Sequence, residues 1–255
     1  MSPRKGAAPG PLAAYVLHQY DWSETSLIVE LFTRDRGRVV VAAKGAKRPY
    51  SQLRAVLLPF QRITVLLGRA PADEAAEVLN LRGAEWAGGV PTLRDGALYS
   101  GFYMNELLLK LLARQDPHPM LFDAYADTLG ALADEAAALR AFELILLREL
   151  GVLPQLDLTT QTAQPLVADQ GYGLQAEAGL VVERDGVPGA AWSAIEAALA
   201  DRHADALRRA CSPVAQGLRA PLRALLHYHA GSAVARTRQL MQDVQRLADL
   251  SGPKR

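Results

Sequence analysis

At 255 residues, half of them apolar and 22% charged, the chain carries enough apolar material for one large or two smaller cored domains, which excludes wholesale disorder. Its one cysteine, Cys211, excludes an intramolecular disulfide and any zinc site built from several thiolates, and reads as a small buried side chain. The formal net charge of +1 conceals three blocks, +7 over residues 1–70, −12 over 71–200 and +6 over 201–255. Such blocks suit different partners, the basic ones a polyanion, unless they neutralise one another in the fold.

In chain order, MSPRKGAAPG (1–10) reads as a loose tail with two basic residues and without the apolar stretch of a secretory signal. No later run approaches the ~20 apolar residues of a membrane span, so a soluble, cytoplasmic chain is expected. LAAYVLHQY (12–20) and TSLIVELFT (25–33) are rich in β-branched and aromatic residues, and RDRG (34–37) ends in the glycine that a tight hairpin wants before RVVVAAK (38–44). PYSQLRAVLLP (49–59) is bounded by prolines and spaces Leu53, Val56 and Leu57 as a short helix. QRITVLLGR (61–69) and EAAEVLNLR (74–82) read as two further strands across a Gly/Pro turn. Five strands with one helix between the third and fourth is the element order of an OB-fold, a small barrel that binds oligonucleotides along a strand face and adjoining loops.

After about residue 90 the period changes to that of helices. LRDGALYSGFYMNELLLKLLARQ (93–115) forms one long helix stopped by DPHP, and Pro119 opens a second with Phe122, Tyr125, Leu129 and Leu132 on one face. LRAFELILLRELG (139–151) is a third, with Gly151 placed to cap it. Residues 154–190 break the pattern with Gly, Pro and Thr and read as turns and short hairpins. Helical spacing resumes at 192–210, 222–230 and 235–250. The expected class is α+β: a barrel over 1–82, an α-helical domain over 83–153 and 191–250, and an irregular insertion over 154–190.

Signatures of catalysis are missing from the sequence. The order Lys44-Gly45 is wrong for a phosphate loop, and no Gly-Lys-Ser or Gly-Lys-Thr occurs. His227 and His229, two apart on a helix, point to different sides, and His18, His118 and His203 have no acid or thiol at ligand spacing. There is no Gly-x-Ser-x-Gly elbow. A binding protein, not an enzyme, is expected.

From residue 34 to 69 the basic residues Arg34, Arg36, Arg38, Lys44, Lys47, Arg48, Arg54, Arg62 and Arg69 stand against one acid, Asp35. On the expected barrel Arg34, Arg36 and Arg38 cluster at the hairpin while Lys44, Lys47 and Arg48 leave the third strand. One continuous rim is expected, holding single-stranded nucleic acid through its phosphates. Tyr20, Trp22 and Tyr50 lie in turn-like stretches; each either stacks on a base or packs over a barrel end.

The stretch YVLHQYDWSETSLIVELFTRDRGRVVVAAKGAKRPYSQLRAVLLPF resembles the RecO family of bacterial recombination mediators, in its LFT followed by a basic residue and glycine, its AKGA with a basic pair, and its Pro-Phe. The likeness continues through YSGFYMNELLLKLL, PHPMLFDAYADTLGAL and LRAFELILLRELGVLPQLD, covering about residues 12–158. Many family members follow this last segment with two cysteine pairs that hold zinc. Here 155–190 has no cysteine, so zinc is not carried over, no cofactor is expected, and the insertion is expected to be a metal-free remnant held by small apolar contacts.

The resemblance implies an N-terminal OB-fold, binding of single- and double-stranded DNA, annealing of complementary strands, and work with RecR and single-strand-binding protein to load RecA during repair in the bacterial cytoplasm, at the nucleoid. On that implication Arg34, Arg36, Arg38, Lys44, Lys47, Arg48, Arg54, Tyr50 and Trp22 hold one strand, and Arg202, Arg208, Arg209, Arg219 and Arg223 either hold a second or are solvated or paired, as arginines on helix surfaces usually are. The acidic tail of single-strand-binding protein needs an apolar groove flanked by arginines, for which Arg140 and Arg148 are candidates. The competing expectation is a non-enzymatic adaptor whose basic rim meets an acidic protein partner.

Overall fold

The segments rich in β-branched and aromatic residues do build strands in the first third of the chain. The structure, a computed structural model, describes residues 10–68, 78–89, 92–132 and 135–231. The expected tail at 1–9, the start of the fifth strand at 74–77 and the helix at 235–250 lie outside the described residues. Two compact units emerge: the described residues up to Thr92 with Leu112–Asp123, and Leu93–Leu111 with the described residues from Ala124 onward.

In the first unit, β1 (Leu12–Asp21), β2 (Leu27–Thr33), β3 (Gly37–Ala43), β4 (Gln61–Leu67) and β5 (Val78–Gly89) close a barrel in the order β1-β2-β3-β5-β4, with α1 (Gln52–Val56) between β3 and β4. All pairs are antiparallel except β3 with β5. This is the OB-fold arrangement. Inward residues Ala14, Val16, Val29, Leu31, Val39, Val41, Ile63 and Val65 form the core. β2 and β3 are buried on both faces, which is why they read as unbroken apolar runs. On the outer face Phe122 covers Tyr15 and Phe32, with ring centroids 5.3 and 5.4 Å away. The β2–β3 hairpin turns at Gly37, at φ 63°; a Cβ there would stand 1.8 Å from the Asp116 carbonyl oxygen, so only glycine fits.

The second unit contains α2 (Asp95–Leu111), most of α3 (Pro119–Ala131), α4 (Glu135–Glu149), α5 (Gly189–Ala200), α6 (Ala204–Cys211) and α7 (Ala215–Ala230). Tyr125 donates to Asn105 Oδ1 at 2.6 Å, tying α3 to α2, and Gly151 closes α4 at φ 70°. The stretch expected as one helix over 192–210 is two, broken between Ala200 and Ala204 where Arg202 takes φ 54° and His203 Nδ1 accepts the Ala206 N–H. The helix expected to begin at Leu222 begins at Ala215 and runs through Pro221.

Residues 154–188 carry a three-stranded sheet, β6 (Gly171–Gln175), β7 (Gly179–Val182) and β8 (Val187–Pro188), in the order β7-β6-β8. Apolar contacts alone do not hold it. Thr160 Oγ1 accepts the Leu180 N–H at 2.8 Å, Glu196 accepts the Leu156 N–H at 2.9 Å, and buried Trp192 donates to the Tyr172 carbonyl at 3.2 Å.

Candidate nucleic-acid interface

Strand register sorts the basic residues of the first unit. The pairs Asp21↔Leu27 and Leu27↔Ala43, with β5 parallel to β3 and Gln61 opposite Gly89, place the β1–β2 turn, the end of β3, α1, the start of β4 and the end of β5 at one pole of the barrel. The β2–β3 hairpin lies at the other. A seven-residue strand separates them by roughly 20 Å, so the expected continuous rim is two clusters.

At the hairpin pole the arginines serve the fold. Arg34 makes a two-pronged pair with Asp123 at 3.0 and 2.8 Å, and that hydrogen bond, then the carboxylate's charge, raises its pKa. Arg38 pairs with buried Glu30 at 3.1 Å and donates to the Leu112 carbonyl, while Arg114 reaches the other Glu30 oxygen at 3.3 Å. Arg36 alone is exposed there without an ion pair among the described residues.

The opposite pole differs. Lys44, Arg48 and Arg54 are exposed and make no ion pair among the described residues. Gly45, at φ 72°, turns the chain so that Arg48 lies over it; a Cβ there would meet Arg48 Cδ at 3.6 Å. Lys47 is half-buried, pairing with Asp21 at 3.0 Å and donating to the Ser23 carbonyl at 3.2 Å, so it braces the β1–β2 turn. Beside these cations stand exposed rings: Tyr50 at 99%, Trp22 at 56% and Tyr20 at 48% of full exposure. Tyr20 also packs edge-on against His18, with ring centroids 4.5 Å apart. The same pole also presents Trp86 near the end of β5, which the expected strand 74–82 did not reach.

In the second unit Arg208 pairs with Asp205 at 2.8 Å, whereas Arg209, Arg219 and Arg223 are exposed. Arg140 is buried against Glu143 at 2.9 Å, and Arg148 pairs with Glu196 at 2.7 Å. Tyr103 donates to the same Glu143 oxygen at 2.7 Å. Burial raises the Glu143 pKa against the pull of Arg140, the Tyr103 hydrogen bond and Arg219. Burial likewise pushes the Cys211 thiol up to about 12.

Zinc does not fit the insertion. Where the first cysteine pair of the resembled family would fall, Thr159 and Thr162 bond hydroxyl to hydroxyl at 2.6 Å, and Thr160 is occupied by Leu180. These are neutral hydroxyls, not thiolates or imidazoles, and their lone pairs serve the backbone.

The chain matches a family model described as Recombination protein O N terminal over residues 12–83 and one described as Recombination protein O C terminal over 96–237. It is 50% identical to a DNA repair protein RecO from Polaromonas sp. strain JS666, over 93% of this chain and 98% of that protein. It is 51% identical to the DNA repair proteins RecO of Polaromonas naphthalenivorans and Variovorax paradoxus, each over 92% of this chain and 96% of the relative.

Proposed function

The chain belongs to the RecO family of DNA repair and recombination proteins, and from that premise we propose that it is a non-enzymatic mediator whose barrel holds single-stranded DNA at the Lys44–Arg54 pole. The observation that carries this reading is the gathering, at one pole, of four cations without ion pairs among the described residues, Lys44, Arg48, Arg54 and Arg62, and of exposed rings beside them. Cations exchange condensed counterions for phosphates, and rings offer bases an apolar face. The covered outer face of β1 and β2 directs the strand to the pole, because Phe122 already occupies the place where bases would lie on Tyr15 and Phe32.

Bringing two complementary strands together needs only that phosphate repulsion be lowered while the bases stay exposed. A second strand, or duplex DNA, is assigned to Arg209, Arg219 and Arg223, and the partners are RecR and single-strand-binding protein, with RecA loading as the outcome. No cofactor or chemical step enters this mechanism.

Fluorescence anisotropy of a labelled oligonucleotide across a salt series tests it. Each phosphate contact on a single strand contributes about 0.7 to the slope of log affinity against log salt. Lys44→Ala with Arg48→Ala is expected to lower the slope by about 1.4 and to weaken unrelated sequences equally. Lys47 is a poorer target because Asp21 already holds it. Absence of oligonucleotide binding at low salt would assign the pole to an acidic protein partner instead.

A further inference from the structure

Trp86 is an exposed indole whose position in the fold nothing in the barrel's packing requires. It lies opposite Ile63 on β4, and Ile63 is fully buried while Trp86 keeps 64% of its surface in solvent. The difference follows from the topology. Among the described residues β3 pairs with β5 at Val78, Leu79 and Asn80, and from Leu81 onward β5 runs past the end of β3 with β4 as its strand neighbour. Ala84, two residues earlier on the same face, is the last β5 residue packed against the core, and Trp86 continues that apolar face beyond it.

The ring is nonetheless held in place. Its Nε1–H donates to Gln61 Oε1 at 3.2 Å. A Cβ on Gly89 would stand 3.3 Å from the ring's Cζ2 and 3.1 Å from Gln61 Oε1, so glycine there lets the indole and the carboxamide lie close over the backbone. An immobilised aromatic face with its only hydrogen-bond donor already engaged can recognise a partner by its face alone. That suits any base, because every base has a π-face.

Charge at this pole favours a polyanion. Arg62, next to Gln61, is exposed without an ion pair among the described residues, as are Lys44, Arg48 and Arg54; the acids against them are Glu24, exposed in the β1–β2 turn, Glu85, adjacent in sequence on the alternate face of β5, and Asp21, held by Lys47. We propose that Trp86 is a stacking platform for a base of single-stranded nucleic acid, carrying the strand past the Lys44–Arg54 segment onto the β4–β5 edge, with Gln61 and Gly89 as its positioning residues. This rests on the reading of that pole as a DNA site.

Intrinsic fluorescence provides the test, since the chain has three tryptophans and Trp192 is fully buried. In Trp22→Phe, titration to saturation with oligothymidylate is expected to quench the emission, and in Trp22→Phe/Trp86→Phe the quenching is expected to vanish. Trp86→Ala is expected to weaken binding about five- to tenfold with an unchanged salt slope, because a ring is removed and no charge. If the wild-type chain binds oligonucleotide but Trp86→Ala binds equally well and Trp22→Phe shows no quenching, the platform is overturned and the DNA-binding pole stands. If the wild-type chain binds no oligonucleotide, both fall.

Discussion

Glu143 places an acid in the interior of the second unit, on α4. It is 1% exposed, accepts from Tyr103 and Arg140 through one oxygen, and has its second oxygen buried without a hydrogen-bond partner. Burial favours the neutral acid and outweighs the neighbouring arginines, so the folded pKa lies above the unfolded one. Protonation therefore stabilises the native state. That contribution is full below the ordinary glutamate value of about 4.3 and is lost as pH rises through the folded value. Glu143→Gln cannot ionise, keeps an acceptor for Tyr103 and Arg140, and removes this loss. Urea unfolding at a series of pH values from 4 to 8.5 is expected to show the variant gaining stability relative to the wild type as pH rises. Parallel curves would mean that Glu143 titrates alike in both states.

Among the elements, the insertion over 154–188 buries Leu156, Tyr172, Leu174, Leu180 and Val187 and adds single side-chain hydrogen bonds to its backbone. Thr160 Oγ1 both receives the Leu180 N–H and abuts Gly179, where a Cβ would lie 2.1 Å from that oxygen. Thr160→Val keeps the shape and removes the acceptor, leaving a part-buried N–H unsatisfied. A loss of about 1 kcal/mol is expected, read as a lower urea midpoint with unchanged m. How legible the elements were depended on how local their causes are. The first four strands follow from their β-branched and aromatic content and from turn glycines such as Gly37, whose signals lie within a few residues. The last part of β5, GAEWAGG, has poor strand propensity and is a strand because β4 pairs with it, so neither its extent nor Trp86 was readable. The split between α5 and α6 turns on Arg202 adopting φ 54°, a conformation its side chain does not advertise. Of the site, the basic cluster was visible as composition, but its division was not. Arg34 pairs with Asp123, 89 residues away, and Arg38 adds to its pair with Glu30 a bond to the Leu112 carbonyl, 74 residues away, contacts that only the folded barrel creates.

For the molecule as a whole, the charge blocks acquire separate meanings. The N-terminal excess divides into fold-serving arginines at the hairpin pole and outward cations at the other, while the acidic block includes Asp123 and Glu143, each engaged by arginine within its own unit. Partial neutralisation in the fold is thus real, yet it leaves Lys44, Arg48 and Arg54 in one unit and Arg209, Arg219 and Arg223 in the other without ion pairs among the described residues. Arg219 and Arg223 are four apart on α7 and so share a face. If the first set holds a strand and the second attracts its complement, binding and annealing separate experimentally. Arg209→Gln/Arg219→Gln/Arg223→Gln should leave single-strand affinity and its salt slope near wild type, while annealing slows by roughly an order of magnitude as electrostatic attraction for the second strand is lost. Because Arg219 also lowers the Glu143 pKa, the melting temperature of this variant is measured alongside, and annealing is compared well below it. A parallel fall in affinity and slope would instead show one strand touching both sets, and annealing would then need a second copy of the chain to bring its complement.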